Sequence, residues 1–138
     1  MKYFVFFLLS LTIFSCQKET EKSADRFKQG IFEIPATQSF GVTTITRIDS
    51  LQIETYTKKS SVFKEGQTIE KQEKHTDTLY IKWKNNFAYT LRMKSPKTDL
   101  DKDPIFVQIN RVTSDSYDFT AKIGYSKFKQ TGTIYIAK

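Results

Sequence analysis

The chain reads as an all-β domain. It is an antiparallel meander of 7–8 strands that either closes as a small up-and-down, lipocalin-like barrel or folds over as a two-layer β-sandwich. Three observations predict this. From Gly30 onward, apolar residues recur at every second position. No stretch of ten or more residues carries helical spacing. The alternating runs are separated by short turn signals such as Asp49-Ser50, Asn85-Asn86 and Ser114-Asp115-Ser116. An open twisted sheet with so many strands cannot bury one face without closing or folding over. Consecutive hairpins need no long crossover, which favours the barrel.

Phe32 and Ile34 point one way in a first strand that Pro35 ends. Residues 43–48 and 51–57 are rich in Thr, Ile and Tyr and form a hairpin about Asp49-Ser50. Residues 60–74 are polar with Glu65-Gly66 as a turn signal, and read as a long hairpin loop that could hold a frayed strand. Leu79, Ile81 and Trp83 alternate against Tyr80, Lys82 and Lys84. Asn85-Asn86 turns the chain, and Phe87, Tyr89, Leu91 and Met93 alternate back. After a charged loop at 95–104 come Ile105, Val107 and Ile109, then Tyr117, Phe119, Ala121 and Ile123. Gly132 opens a last strand with Ile134 and Ile136 on one face.

The N-terminus follows a different pattern. Lys2 precedes an apolar run at 3–14, then the small Ser15 and the only cysteine, Cys16. As a helix the run reaches roughly 18 Å, short of the ~30 Å core of a bilayer. A secretory signal fits better than a membrane span. Ile13-Phe14-Ser15-Cys16 resembles the lipobox of bacterial lipoproteins, although Phe14 stands where a smaller or branched residue is usual. The expected layout is a signal peptide over 1–15, a lipidated Cys16 with a flexible tether over 16–29, and a β domain over 30–138. The resemblance implies a cell-envelope location, with the protein anchored in the outer membrane on its periplasmic side or at the cell surface. With Cys16 acylated, no disulfide can form.

The blocks Phe27-Lys28-Gln29-Gly30-Ile31-Phe32, Arg47-Ile48-Asp49-Ser50-Leu51-Gln52-Ile53-Glu54 and Trp83-Lys84-Asn85-Asn86-Phe87-Ala88-Tyr89-Thr90-Leu91 carry a second resemblance. With Tyr117-Asp118-Phe119 and Gly132-Thr133, they look like a family of small flavobacterial-type lipoproteins. That likeness names no reaction and no cofactor.

The formal net charge is +7. It invites an anionic partner, yet the basic residues stand singly along strands and read as a solvated surface that discourages edge pairing. Nucleic acid is disfavoured, because no helix-turn-helix, zinc-ligand or aromatic ribonucleoprotein motif is present. His75, the sole histidine, lacks companion metal ligands. Asp99-Leu100-Asp101-Lys102-Asp103 alternates carboxylates as calcium loops do, but Pro104 replaces the needed glycine and Asn110 the bidentate glutamate. Metal and cofactor are therefore not expected.

Glu33, Glu54 and Asp118 are candidate acids for a hydrolase, yet their polar strand neighbours suit outward-facing positions. Such an enzyme would gather Glu54, His75 and Asp118 into one pocket. Phe32, Trp83, Phe87, Tyr89, Tyr117 and Phe119 are candidate ligand-facing aromatics if the barrel is partly empty, and core if it is filled. The functional expectation is a membrane-anchored, non-catalytic binding or structural module recognising an envelope protein, a glycan or a small apolar ligand. A cell-envelope hydrolase and a carrier of a small apolar ligand are the alternatives.

Overall fold

A computed structural model describes residues 25–138. Cys16, the expected signal segment and most of the expected tether lie outside the described residues. Eight antiparallel strands, β1 (Gly30–Ile34), β2 (Thr43–Ile48), β3 (Leu51–Lys64), β4 (Gln67–Asn85), β5 (Ala88–Met93), β6 (Ile105–Val112), β7 (Ser116–Ile123) and β8 (Lys129–Ile136), follow one another around a closed barrel. Phe32↔Ile136 and Glu33↔Tyr135 seal β1 to β8. Of the two architectures open from sequence, the barrel is the one formed.

The two-residue period sorts every strand into an inner and an outer row. Phe32, Ile45, Leu79, Ile81, Tyr89, Leu91, Val107, Ile109, Tyr117, Phe119 and Ile134 are buried and form the inner core. The tight turn after β2 holds Asp49 at φ 53°, a left-handed conformation that Asp tolerates. Gln29 clasps this turn, accepting from Asp49 N at 2.9 Å and donating to its carbonyl at 3.1 Å. Phe27 is fully buried against Phe32 and Tyr117. Packing therefore begins before Gly30, in residues the sequence assigned to a tether, because Phe27 supplies an apolar plug that a two-residue period cannot reveal.

Three local expectations change. Residues 60–74 are not a loop: β3 and β4 stay in register from Leu51↔Tyr80 to Lys64↔Gln67. Their turn, Glu65-Gly66 with φ 51° and 81°, matches the twist of the strands it joins. Beyond residue 57 this pair leaves the barrel as an arm with both faces in solvent. The second turn sits one residue later than read, because a bulge between Trp83 and Asn85 shifts the register and Asn85 pairs with Ala88. Finally, β8 starts at Lys129, and Gly132 lies inside it. A Cβ there would fall 2.9 Å from the Phe119 ring, which covers the glycine from the neighbouring strand.

Candidate functional site

The lumen is organised by a residue the sequence reading passed over. Arg47 lies two positions from Ile45 on β2, hence on the inner row, and is 1% exposed. Its Nε donates to Gln52 Oε1 at 2.7 Å and its Nη1 to the Phe27 carbonyl at 2.7 Å. Nη2 donates to the hydroxyls of Tyr89 at 3.0 Å and Tyr117 at 2.8 Å, which lie 2.9 Å from each other. The rings of Phe32, Trp83, Tyr89 and Tyr117 surround the guanidinium at 4.9–5.8 Å.

A buried charge without such partners would cost several kcal/mol. Here neutral acceptors and ring faces share it. Burial pushes the Tyr89 hydroxyl well above its usual range, so it stays a neutral phenol. An inward-facing Arg in the alternating Ile45–Arg47 pair was the available sequence signal.

Four of the six aromatics singled out from sequence, Phe32, Tyr89, Tyr117 and Phe119, are buried in this core. Trp83 and Phe87 are half-buried and pack against it. Trp83 lies 4.6 Å from Tyr89, and its Nε1 has no hydrogen-bond partner among the described residues. Phe32, Trp83, Tyr89 and Tyr117 therefore surround Arg47, while Phe119 belongs to the core and Phe87 packs against it.

The candidate acids separate. Glu54 does not face outward as expected: it is the direct partner of the buried Ile45 and of Asp77, so it shares the inner row. Gln52, held by Arg47, donates to Glu54 Oε1 at 2.6 Å and links the lumen to the barrel mouth. Burial raises the Glu54 carboxyl above its ordinary range, the Gln52 hydrogen bond and Arg47 oppose the rise, and Asp77 adds to it. The residue as a whole remains half-buried, so this carboxyl still borders a cavity of about 300 Å³. Ile34, Thr43, Phe40, Tyr56 and Asp77 also line that cavity.

Tyr56 donates to Asp77 Oδ2 at 2.8 Å, and burial with this acceptor pushes its hydroxyl up to about 12. His75 stacks on Tyr56 at 5.4 Å and Phe40 meets it edge-on at 5.7 Å. Asp118 is elsewhere, on the outer wall, bonded to Thr133 at 2.7 Å and Arg111 at 2.8 Å. Glu33 pairs with Thr44 and Tyr135 at the β1 seam. Glu54 and His75 thus share the mouth, and Asp118 does not join them.

Asp99 and Asp101 serve local structure. Asp101 Oδ2 accepts from the Lys97 and Thr98 amides at 3.0 Å, and Lys102 pairs with Asp99 at 2.7 Å. Among the described residues no group of three or more metal-ligating side chains converges.

The outer wall holds a second concavity of about 490 Å³ across β4–β8. Lys84, Thr90, Phe106, Gln108, Lys122 and Lys129 line it. These lysines stand singly in the sequence, and the register of β4 to β8 gathers them.

Comparison with protein-family models, with curated proteins and with solved structures finds no match to this chain.

Proposed function

We propose that this protein is a non-catalytic binding module of the cell envelope, tethered to a membrane by lipid on Cys16, and that it binds through its outer wall. One observation carries the outer-wall reading: the place where an open eight-stranded barrel would seat a small ligand is taken by Arg47 and its ring of acceptors. Carriage of a small apolar ligand in the lumen would require expelling a hydrogen-bonded cation. The lipobox likeness at Ile13-Phe14-Ser15-Cys16 supports the anchor.

Two experiments test this. Labelled palmitate should enter the protein and be lost in Cys16→Ala; an unlabelled wild type overturns the anchor. A lipophilic fluorescent naphthylamine should show no saturable binding. Saturable binding with a change in Trp83 emission would place a ligand inside and defeat the outer-wall reading.

A second reading, an envelope hydrolase, is favoured by the facing Glu54 and Asp77 carboxyls beside Tyr56 at the mouth cavity. A carboxyl whose proton is held more tightly because of burial can serve as a general acid. Release of sugar from cell-wall glycan that vanishes in Glu54→Gln would establish this reading, and its absence in the wild type would end it.

A further inference from the structure

We infer that the outer groove over β4–β8 is a binding site for an acidic polysaccharide; this rests on the outer-wall reading above. The register places Lys82, Thr90, Phe106, Lys122 and Lys129 in one row of successive cross-strand neighbours. Lys122 and Lys129 are direct partners, a like-charge pairing that weakens a sheet when nothing neutralises it. Lys82, Lys84, Lys122 and Lys129 make no ion pair among the described residues. Lys28, Lys71, Lys102 and Arg111 each hold a carboxylate. A wall that leaves three ammonium groups, Lys84, Lys122 and Lys129, uncompensated around one concavity, with Lys82 in the same row as Lys122 and Lys129, is set to receive anions.

The groups between the lysines identify the kind of anion. Phe106 stands mid-row and is 42% exposed, a flat apolar face on which the C–H side of a sugar ring can rest. The next row runs Ala88, Gln108, Thr120 and Thr131. Gln108 uses its Nε2 on the Phe87 and Ile109 carbonyls, each at 3.1 Å, which fixes the amide and leaves its Oε1 to accept. Asn110 Nδ2 donates to Thr120 Oγ1 at 2.8 Å, so this hydroxyl keeps its own proton to donate. Cations for carboxylate or sulfate, an amide and hydroxyl for sugar hydroxyls, and one stacking face together suit a charged sugar. Single-stranded nucleic acid is less well served, because it uses a series of aromatic platforms and this row offers one. The volume, about 490 Å³, lies within the range of specific ligand sites.

The test is calorimetric titration of the full-length protein with polygalacturonate, dextran sulfate, neutral dextran and a single-stranded DNA oligonucleotide. Saturable binding to at least one charged polysaccharide and none to dextran is expected. The combined Lys84→Gln, Lys122→Gln and Lys129→Gln variant should bind at least tenfold more weakly, with thermal unfolding no lower than that of the wild type. Removing three charges from the arm instead (Lys58→Gln, Lys59→Gln, Lys74→Gln) should leave affinity within twofold. Phe106→Ser should weaken binding severalfold without changing its salt dependence. An equal loss in the arm variant would reduce the effect to net charge and overturn the site. DNA binding as tight as that of the polysaccharide would overturn the ligand class. Absence of polysaccharide binding while the lumen stays closed to the lipophilic probe would sink the glycan site and leave the outer-wall reading standing.

Discussion

Arg47 and the Lys122–Lys129 pair place the same charge in opposite settings within one barrel. The guanidinium is enclosed, and its partners are all internal: Gln52, the Phe27 carbonyl, and two tyrosine hydroxyls. The lysines face each other across β7 and β8 with no carboxylate on them among the described residues. A cation that commits four of its five N–H donors to internal partners holds structure together, whereas cations set side by side without counter-charge weaken the sheet and remain available to a ligand. The contrast separates what stabilises this fold from what it offers to a partner.

The largest effect should come from Arg47→Met. Removing the guanidinium leaves the Phe27 carbonyl and Gln52 Oε1 buried without a donor, and urea unfolding should show a loss of about 3–5 kcal/mol. Wild-type stability in that variant would break the contrast at its inner end. Tyr117→Phe should cost about 1–2 kcal/mol in the wild type. In the Arg47→Met background its effect should shrink by at least half, since contacting partners are non-additive. Equal costs in both backgrounds would show that the hydroxyl acts independently of the arginine.

Glu54→Gln sharpens the comparison through pH. The folded state raises the Glu54 carboxyl, so the native protein holds that proton more tightly than the unfolded chain. Stability therefore falls as pH rises from the ordinary carboxylate value through the higher native one. The neutral amide of the Glu54→Gln variant carries no such penalty. Melting curves should coincide near pH 3 and separate toward pH 7, with the variant higher by about 2–4 °C. A gap that opens toward acid instead would reverse the sign. The smallest effect belongs to Lys129→Gln, which relieves the opposed pair and should raise stability by about 0.5 kcal/mol. A loss would mean that the pair is already neutralised.

The barrel was legible because a closed meander repeats one simple signal, apolar residues every second position, and Phe32, Ile45, Leu79, Ile81, Tyr89 and Ile134 obey it. The arm was not, because strands with no buried face carry no such alternation; Val62↔Ile69 and the Glu65-Gly66 turn were its only local cues. Arg47 and Glu54 hid for a related reason. A polar residue on an inner row looks like a surface residue until its partners, which are 5–70 positions away for Arg47, are brought to it. The lysine groove depends on register between five strands, and their separation along the chain made them look scattered. The proposed cysteine anchor is the reverse case: it rests on local sequence alone.

The most direct test of a barrel that is filled inside and binding outside is backbone amide NMR during titration with a polygalacturonate oligosaccharide. Shifts should be confined to Lys84, Thr90, Phe106, Gln108, Thr120, Lys122 and Lys129, with Phe32, Arg47 and Tyr117 unmoved. Shifts centred on Phe32, Arg47 and Tyr117, with the outer lysines silent, would contradict it.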